Sequence, residues 1–219
     1  MLKLLIATRN RHKVGEIQTI LGEGFDCLTL EKISGAPEIL EDAETFEGNA
    51  RKKAEGIAAW LKTFAGAKPD FVMADDSGLE VDALGGAPGV HSARFAALDS
   101  GGAGNSADVD NNAKLLRLLK DVPLEKRGAR FRCVIALVEL QSGSLQTFTG
   151  TCEGRIEFAK SGACGFGYDP LFTPIGFNQT FAELGEAVKN QISHRAQALA
   201  KLRGALAPRI SNCSNPAAV

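Results

Sequence analysis

The sequence has no surplus of charge, no long apolar run and no paired-cysteine motif, and each absence removes a class of protein. Lys and Arg number 25 against 26 Asp and Glu, with no like-signed block beyond a few residues. Such a balance does not suit neutralising a nucleic-acid backbone, so no nucleic-acid partner is expected. A pocket for a small anion stays open, because it needs only a few placed cations and backbone amides. The cysteines, Cys27, Cys133, Cys152, Cys164 and Cys213, include no C-x-x-C pair and none at zinc-ligand spacing from a histidine. They read as reduced thiols of a cytoplasmic protein. The apolar start MLKLLIA is too short for a secretory signal, and no later stretch approaches a membrane span, so a soluble protein with no membrane partner is expected. The Walker signature G-x-x-x-x-G-K is missing, as is any internal repeat.

The 219 residues suffice for one large domain or two joined lobes. Leu2 to Thr8 is an apolar run, after which Val14, Ile17, Ile20 and Leu21 take helical spacing. A short strand is predicted around Cys27 to Leu30, then an acidic loop, then a long helix with the stripe Phe46, Ala50, Ala54, Ile57, Ala58, Leu61 and Phe64, capped by Thr45. Phe71 to Ala74 reads as a strand ending at Asp75-Asp76-Ser77-Gly78, with Leu79 to Leu84 alternating beyond it. A helix is expected near Asp108 to Leu119, and Arg130 to Leu140 folds back through Gln141 to Ser144 into Leu145 to Ile156 as a hairpin. A closing helix runs from about His194 to Leu206. Strand-helix units followed by a hairpin predict an α/β fold with a mixed sheet. Residues 1–207 would form the domain and residues 208–219 a disordered tail.

Three segments carry candidate chemistry. Thr8, Arg9, Asn10, Arg11, His12 and Lys13 stand at the mouth of a helix, where free amides and the dipole favour an anion; plain capping is the competing reading. Asn49 and Lys53, four apart, share one helix face and can offer an amide and a cation to a triphosphate. Asp75 and Asp76 lie at the predicted end of a strand, where α/β sheets place ligands. Successive strand residues point to opposite sides, so at most one of the two faces a metal or a water, with Asp76 favoured; a polar turn whose side chains satisfy local amides is the competing reading. Glu38 or Glu41 of the acidic loop would add a carboxylate. Towards the C-terminus, Phe166, Gly167, Tyr168 and Asp169 set aromatic rings among glycines, a platform on which a flat base can stack. Lys189, His194 and Arg195 add donors near a helix start.

The blocks ATRNRHKVGEI, TFEGNARKKA, ADDSGLEVDALGGAPGVHSARFA, FGYDPLF and TFAEL followed by KNQISHRAQAL occur in this order. Together they strongly resemble the inosine triphosphate pyrophosphatase family, the XTP/dITP diphosphatases, from Lys3 to about Leu206. The resemblance implies a long mixed β-sheet flanked by helices, two lobes with a central cleft, a homodimer, and Mg2+-dependent cleavage of ITP, dITP and XTP between the α and β phosphates. It implies that Thr8 to Lys13 and Lys53 cradle the triphosphate, that Asp76 is metal ligand and general base, and that Ser77 touches substrate. Phe166 to Asp169, Lys189, His194 and Arg195 would hold base and sugar. The chain departs from the family pattern at Arg9, Gly48, His91 and Cys164. Glutamate at position 48 would complete a capping box with Thr45, so Gly48→Glu is expected to raise the melting temperature. Two other readings compete: a pyrophosphatase of the related septum-formation inhibitor group, and a nucleotide-binding module without catalysis.

Overall fold

A computed structural model of the chain describes residues 1–102 and 104–214, with side chains as far as residue 210. One six-stranded sheet runs in the order β2-β1-β3-β4-β5-β6. Its strands are β1 (Leu2–Ile6), β2 (Phe25–Thr29), β3 (Phe71–Val81), β4 (Gly128–Glu139), β5 (Leu145–Ile156) and β6 (Phe172–Pro174). The helices are α1 (Arg11–Leu21), α2 (Phe46–Thr63), α3 (Asp108–Leu118), α4 (Phe181–Ile192) and α5 (His194–Ser214). β1 pairs in parallel with both β2 and β3, while β5 and β6 are antiparallel, so the sheet is mixed as expected. Parallel neighbours need a crossover, and α1 and α2 supply the two around β1.

The chain divides into two compact units. The first comprises Met1–Asp76, Cys133–Gly150 and Arg195–Val219, and its core joins Leu4, Ile6, Ile17, Met73, Ile135 and Leu199. The second comprises Ser77–Arg132 and Thr151–His194, with a core around Leu79, Leu115, Phe131, Phe172 and Phe181. Fully burying each such aliphatic or aromatic side chain contributes roughly 1.5–3 kcal/mol.

Local chemistry sets the helix starts. Asn10 caps α1 by accepting from the Lys13 N–H at 3.1 Å, and Thr45 caps α2 by accepting from the Gly48 N–H at 3.0 Å. Thr180 and Glu183 close a reciprocal capping box on α4, a helix that the apolar spacing of the sequence did not announce.

Two boundaries differ from the sequence expectation. β3 does not stop at Asp75 but continues to Val81; the carboxylate of Asp75 finds buried partners, so the strand need not end where polarity begins. The last helix extends past Leu206 to Ser214 with Pro208 inside it, where a frayed tail was expected. Ile210 packs on the core of the first unit and Arg209 pairs with Glu139, which supplies contacts the composition alone does not reveal. Residues 215–219 of the expected tail lie outside the described residues. Among the described residues no helix is long and apolar enough to cross a membrane.

Candidate active site

The two adjacent aspartates of β3 live in opposite environments. Asp75 is fully buried and holds a cluster within the first unit. Lys13 donates to its Oδ1, Arg195 Nε lies 3.1 Å from Oδ2, and the Cys133 thiol donates to Oδ2 at 2.9 Å. Arg195 also pairs with Glu16. Burial pushes the Asp75 carboxyl upward, but Arg195 and then Lys13 overcome it and hold it well below the usual carboxylate range. Burial likewise works to lower the Lys13 pKa, yet the charge of Asp75 leaves it raised, so the ammonium persists. Asp75 is therefore a fixed anion that anchors two cations.

Asp76 behaves differently. Burial raises its pKa, the charges of Lys13 and Lys53 lower it, Glu41 raises it again and a hydrogen bond from the Asn49 side chain lowers it, with a net rise. Lys53 in turn pairs with Glu41 at 2.7 Å. Of the two acidic-loop carboxylates, Glu41 is the one whose charge acts on Asp76, whereas Glu38 is exposed and is not among the leading influences there. Two neighbouring carboxylates whose charges repel form an oxygen donor pair of the kind that suits a small hard cation, which takes one or two carboxylates and fills its remaining positions with water or phosphate. Among the described residues, no group of three or more His, Cys, Asp or Glu could hold a metal on its own.

Asn49, expected to offer an amide to phosphate, is engaged inside the protein. It is 1% exposed, its Oδ1 accepts the Ala43 N–H at 2.8 Å, and its amide supports Asp76. A buried amide must be satisfied by protein, and here it fastens the acidic loop and the aspartate together. The stretch from Thr8 to Lys13 does form the entrance to α1. Thr8 Oγ1 accepts the Asn10 N–H at 3.2 Å, Arg9 donates to the Ala36 carbonyl at 2.8 Å, Arg11 pairs with Glu31 on the surface, and His12 is exposed. Arg195, expected to hold base and sugar, stands with Asp75 and Glu16, whose charges offset the cost of burying its guanidinium.

The second unit gathers the other expected residues. Lys189, 2% exposed, lies 2.5 Å from Asp169 Oδ2 and 4.4 Å from the centre of the Phe166 ring. Asp169 Oδ2 also accepts the Phe166 N–H at 2.9 Å. A Cβ on Gly165 would lie 2.2 Å from that same oxygen, and its φ is +79°, so only glycine permits this approach. Tyr168 donates to the Ser92 carbonyl at 3.0 Å and its buried ring packs in the second core, whereas Phe166 is half-buried. His194 is buried and stacked on Phe131, with centroids 4.8 Å apart. Ser77 follows Asp76 on β3 and is half-buried.

Sequence reasoning missed Glu16 and Cys133, the buried partners of the Asp75 cluster. Glu16 carried one signal: it lies three residues after Lys13 and so shares its helix face. Cys133 carried none, since a thiol at the edge of an apolar strand reads as core.

One strand of a mixed α/β sheet thus carries a buried carboxylate ion-paired with two cations beside a second carboxylate of raised pKa. Residues 4–205 match the Ham1 family model, and the chain belongs to the Ham1 family. It is 50% identical to a dITP/XTP pyrophosphatase of Exiguobacterium sibiricum over 94% of this chain and 97% of that protein. A dITP/XTP pyrophosphatase of Shouchella clausii is 46% identical over 93% and 96%. Among solved structures, the Ham1 protein of Staphylococcus aureus matches with a TM-score of 0.79 and 35% identity, covering 94% of this chain and 99% of that one. A HAM1 protein from Coxiella burnetii matches with a TM-score of 0.79 and 36% identity, over 95% and 100%.

Proposed function

We propose that this chain hydrolyses the non-standard purine nucleoside triphosphates ITP, dITP and XTP to the monophosphate and pyrophosphate with Mg2+, clearing them from the nucleotide pool, and that it works as a cytoplasmic homodimer. The observation that carries this reading is the split between neighbouring aspartates, one held ionised by two cations and the other raised by burial beside Lys13, Lys53 and Glu41. Carboxylates whose environments push their pKa values apart divide the roles of anchor and base.

Asp76, with its raised pKa, orients the attacking water and takes its proton. Lys13 and Lys53 face the charge that develops on the phosphates, assisted by the amides at the start of α1. Asp76 and Glu41 would hold Mg2+, which neutralises phosphate oxygens when bound. Relatives of similar length whose names specify dITP and XTP support the substrate class.

Selection of the base follows from Lys189, an obligate donor beside the Phe166 ring. The 6-oxo group of hypoxanthine or xanthine accepts from it, whereas the adenine amino group cannot. Lys189 keeps Asp169 in either case, so the loss is that of one further hydrogen bond to a charged group, roughly 1.5–3 kcal/mol or about 10- to 150-fold. Guanine shares the 6-oxo group, so its exclusion would require a donor facing the 2-amino position.

Product analysis with ITP, XTP, dITP, GTP and ATP, with and without Mg2+, tests the whole reading. Pyrophosphate and monophosphate from the first three are expected only with the metal. Release of orthophosphate, or equal turnover of GTP and ITP, would overturn the bond or the selectivity assigned. Asp76→Asn should bind nucleotide yet lose about 10²- to 10⁴-fold in turnover, and substantial retained activity would remove Asp76 from the mechanism.

A further inference from the structure

The loop that presents Phe166 is fastened from outside by α3. Asp108, the first residue of that helix, accepts the Gly167 N–H through Oδ2 at 2.6 Å. Asn112, one turn later on the same face, donates from Nδ2 to the Gly167 carbonyl at 2.9 Å. Both backbone polar groups of the residue that follows Phe166 are thus taken by two side chains of a single helix. A carbonyl can only accept, which fixes the orientation of the Asn112 amide.

That orientation leaves a buried acceptor. Asn112 Oδ1 has no hydrogen-bond partner among the described residues, although Asn112 is 2% exposed. Its neighbour Asn111 has both amide atoms engaged, with the Ala96 N–H at 2.8 Å and the Ala93 carbonyl at 3.3 Å. Asp108, a carboxylate in the first turn of its own helix, thus reaches a backbone amide 59 residues along the chain, and Asn112 joins it on the same residue.

We infer that Asp108 and Asn112 are positioning residues for the purine, clamping Gly167 so that the Phe166 ring is held against Lys189 before substrate arrives. The inference rests on the reading that Phe166 and Lys189 receive the base. A platform fixed in advance spares the ordering cost of binding, so loosening it weakens the nucleoside end of the substrate and leaves the phosphate end alone.

The test uses the full chain and compares Asp108→Ala, Asp108→Asn, Asn112→Ala and Phe166→Ala. For each, kcat and KM for ITP are measured with inhibition by IMP and by pyrophosphate. Both clamp alanine variants are expected to raise KM and the IMP inhibition constant about 10-fold, the effect of one lost hydrogen bond. Their kcat and pyrophosphate inhibition should stay within about 2-fold. Asp108→Asn retains an oxygen that accepts the Gly167 N–H and is expected to restore most of the IMP affinity. IMP inhibition unchanged in the clamp variants but weakened in Phe166→Ala overturns the clamp and leaves the base reading intact. No change in Phe166→Ala overturns both, and equal weakening of IMP and pyrophosphate overturns the positioning role in favour of general loosening. If Asn112→Ala fails to fold, Asp108, which is exposed, decides the question by itself.

Discussion

At the scale of single residues, what a side chain touches outweighs the preference of its own position. Gly48 is the clearest instance. Its place in the first turn of α2 argues for glutamate, but a Cβ there would stand 2.7 Å from the Ala43 Cβ and 3.1 Å from Thr45 Oγ1. The acidic loop, drawn in by the Asn49 amide, occupies the space. The expectation that Gly48→Glu raises the melting temperature therefore reverses. Gly48→Ala, which gains about 1 kcal/mol of helix propensity, is expected to lose more than that to crowding. A thermal melt should show a fall of about 2–6 °C, and an equal or higher midpoint would mean that the Ala43 loop moves aside freely. The same lesson holds for Asp75 and Asp76. Strand alternation separates their side chains, but which one is held ionised and which has its pKa raised depends on Arg195, far along the chain, on Lys13 and Lys53, and on burial.

Among the elements, α5 shows how a boundary is set by packing. Its continuation beyond Leu206 is tied to the β4–β5 hairpin by Arg209 on Glu139, while Lys201 donates to the Thr149 carbonyl at 2.6 Å. The hydrogen bond from Arg209, then that from Ser142, lowers the Glu139 pKa to about 2. A depressed carboxylate contributes stability that is fully present above its unfolded value, about 4.3, and is lost as pH falls through the folded value. Glu139→Gln is thus expected to lower the midpoint at pH 7 by no more than about 2–4 °C, since half-exposed pairs contribute little. The gap from the parent should close as pH is brought from about 5 towards 2. A gap that stays constant over that range would assign the tie to packing by Ile210 instead. The strands and helices themselves were largely legible: apolar runs and 3.6-residue stripes placed β1, α1, α2, α3, the hairpin and the start of α5. The short β6 and the helix α4 were not, because α4 draws its stability from Phe181 in the second core and from its capping box.

For the whole molecule, the near balance of charge, with a formal net charge of −1, predicts indifference to polyanions. Three cations of the candidate site are shielded to differing degrees and already paired: Lys13 with Asp75, Lys53 with Glu41, and Lys189 with Asp169. ITP hydrolysis in excess Mg2+ should accordingly be unchanged by heparin or duplex DNA, even at low salt where surface fields reach furthest. Competitive inhibition that disappears with added salt would reveal a basic face the residue count conceals.

The sequence by itself determined the fold class, the family and the set of residues from which the chemistry is drawn, because hydrophobic period, capping residues and motif order are local or additive properties of a chain. Only the tertiary structure decided how those residues share the work. It made Asp75 an anchor, tied Asn49 to Asp76 and the acidic loop, drew Arg195 to Glu16, and set Asp108 and Asn112 around Gly167. The physical reason is that the protonation and pairing of a buried polar group are fixed by whatever lies within a few ångströms of it, and those neighbours come from distant parts of the chain.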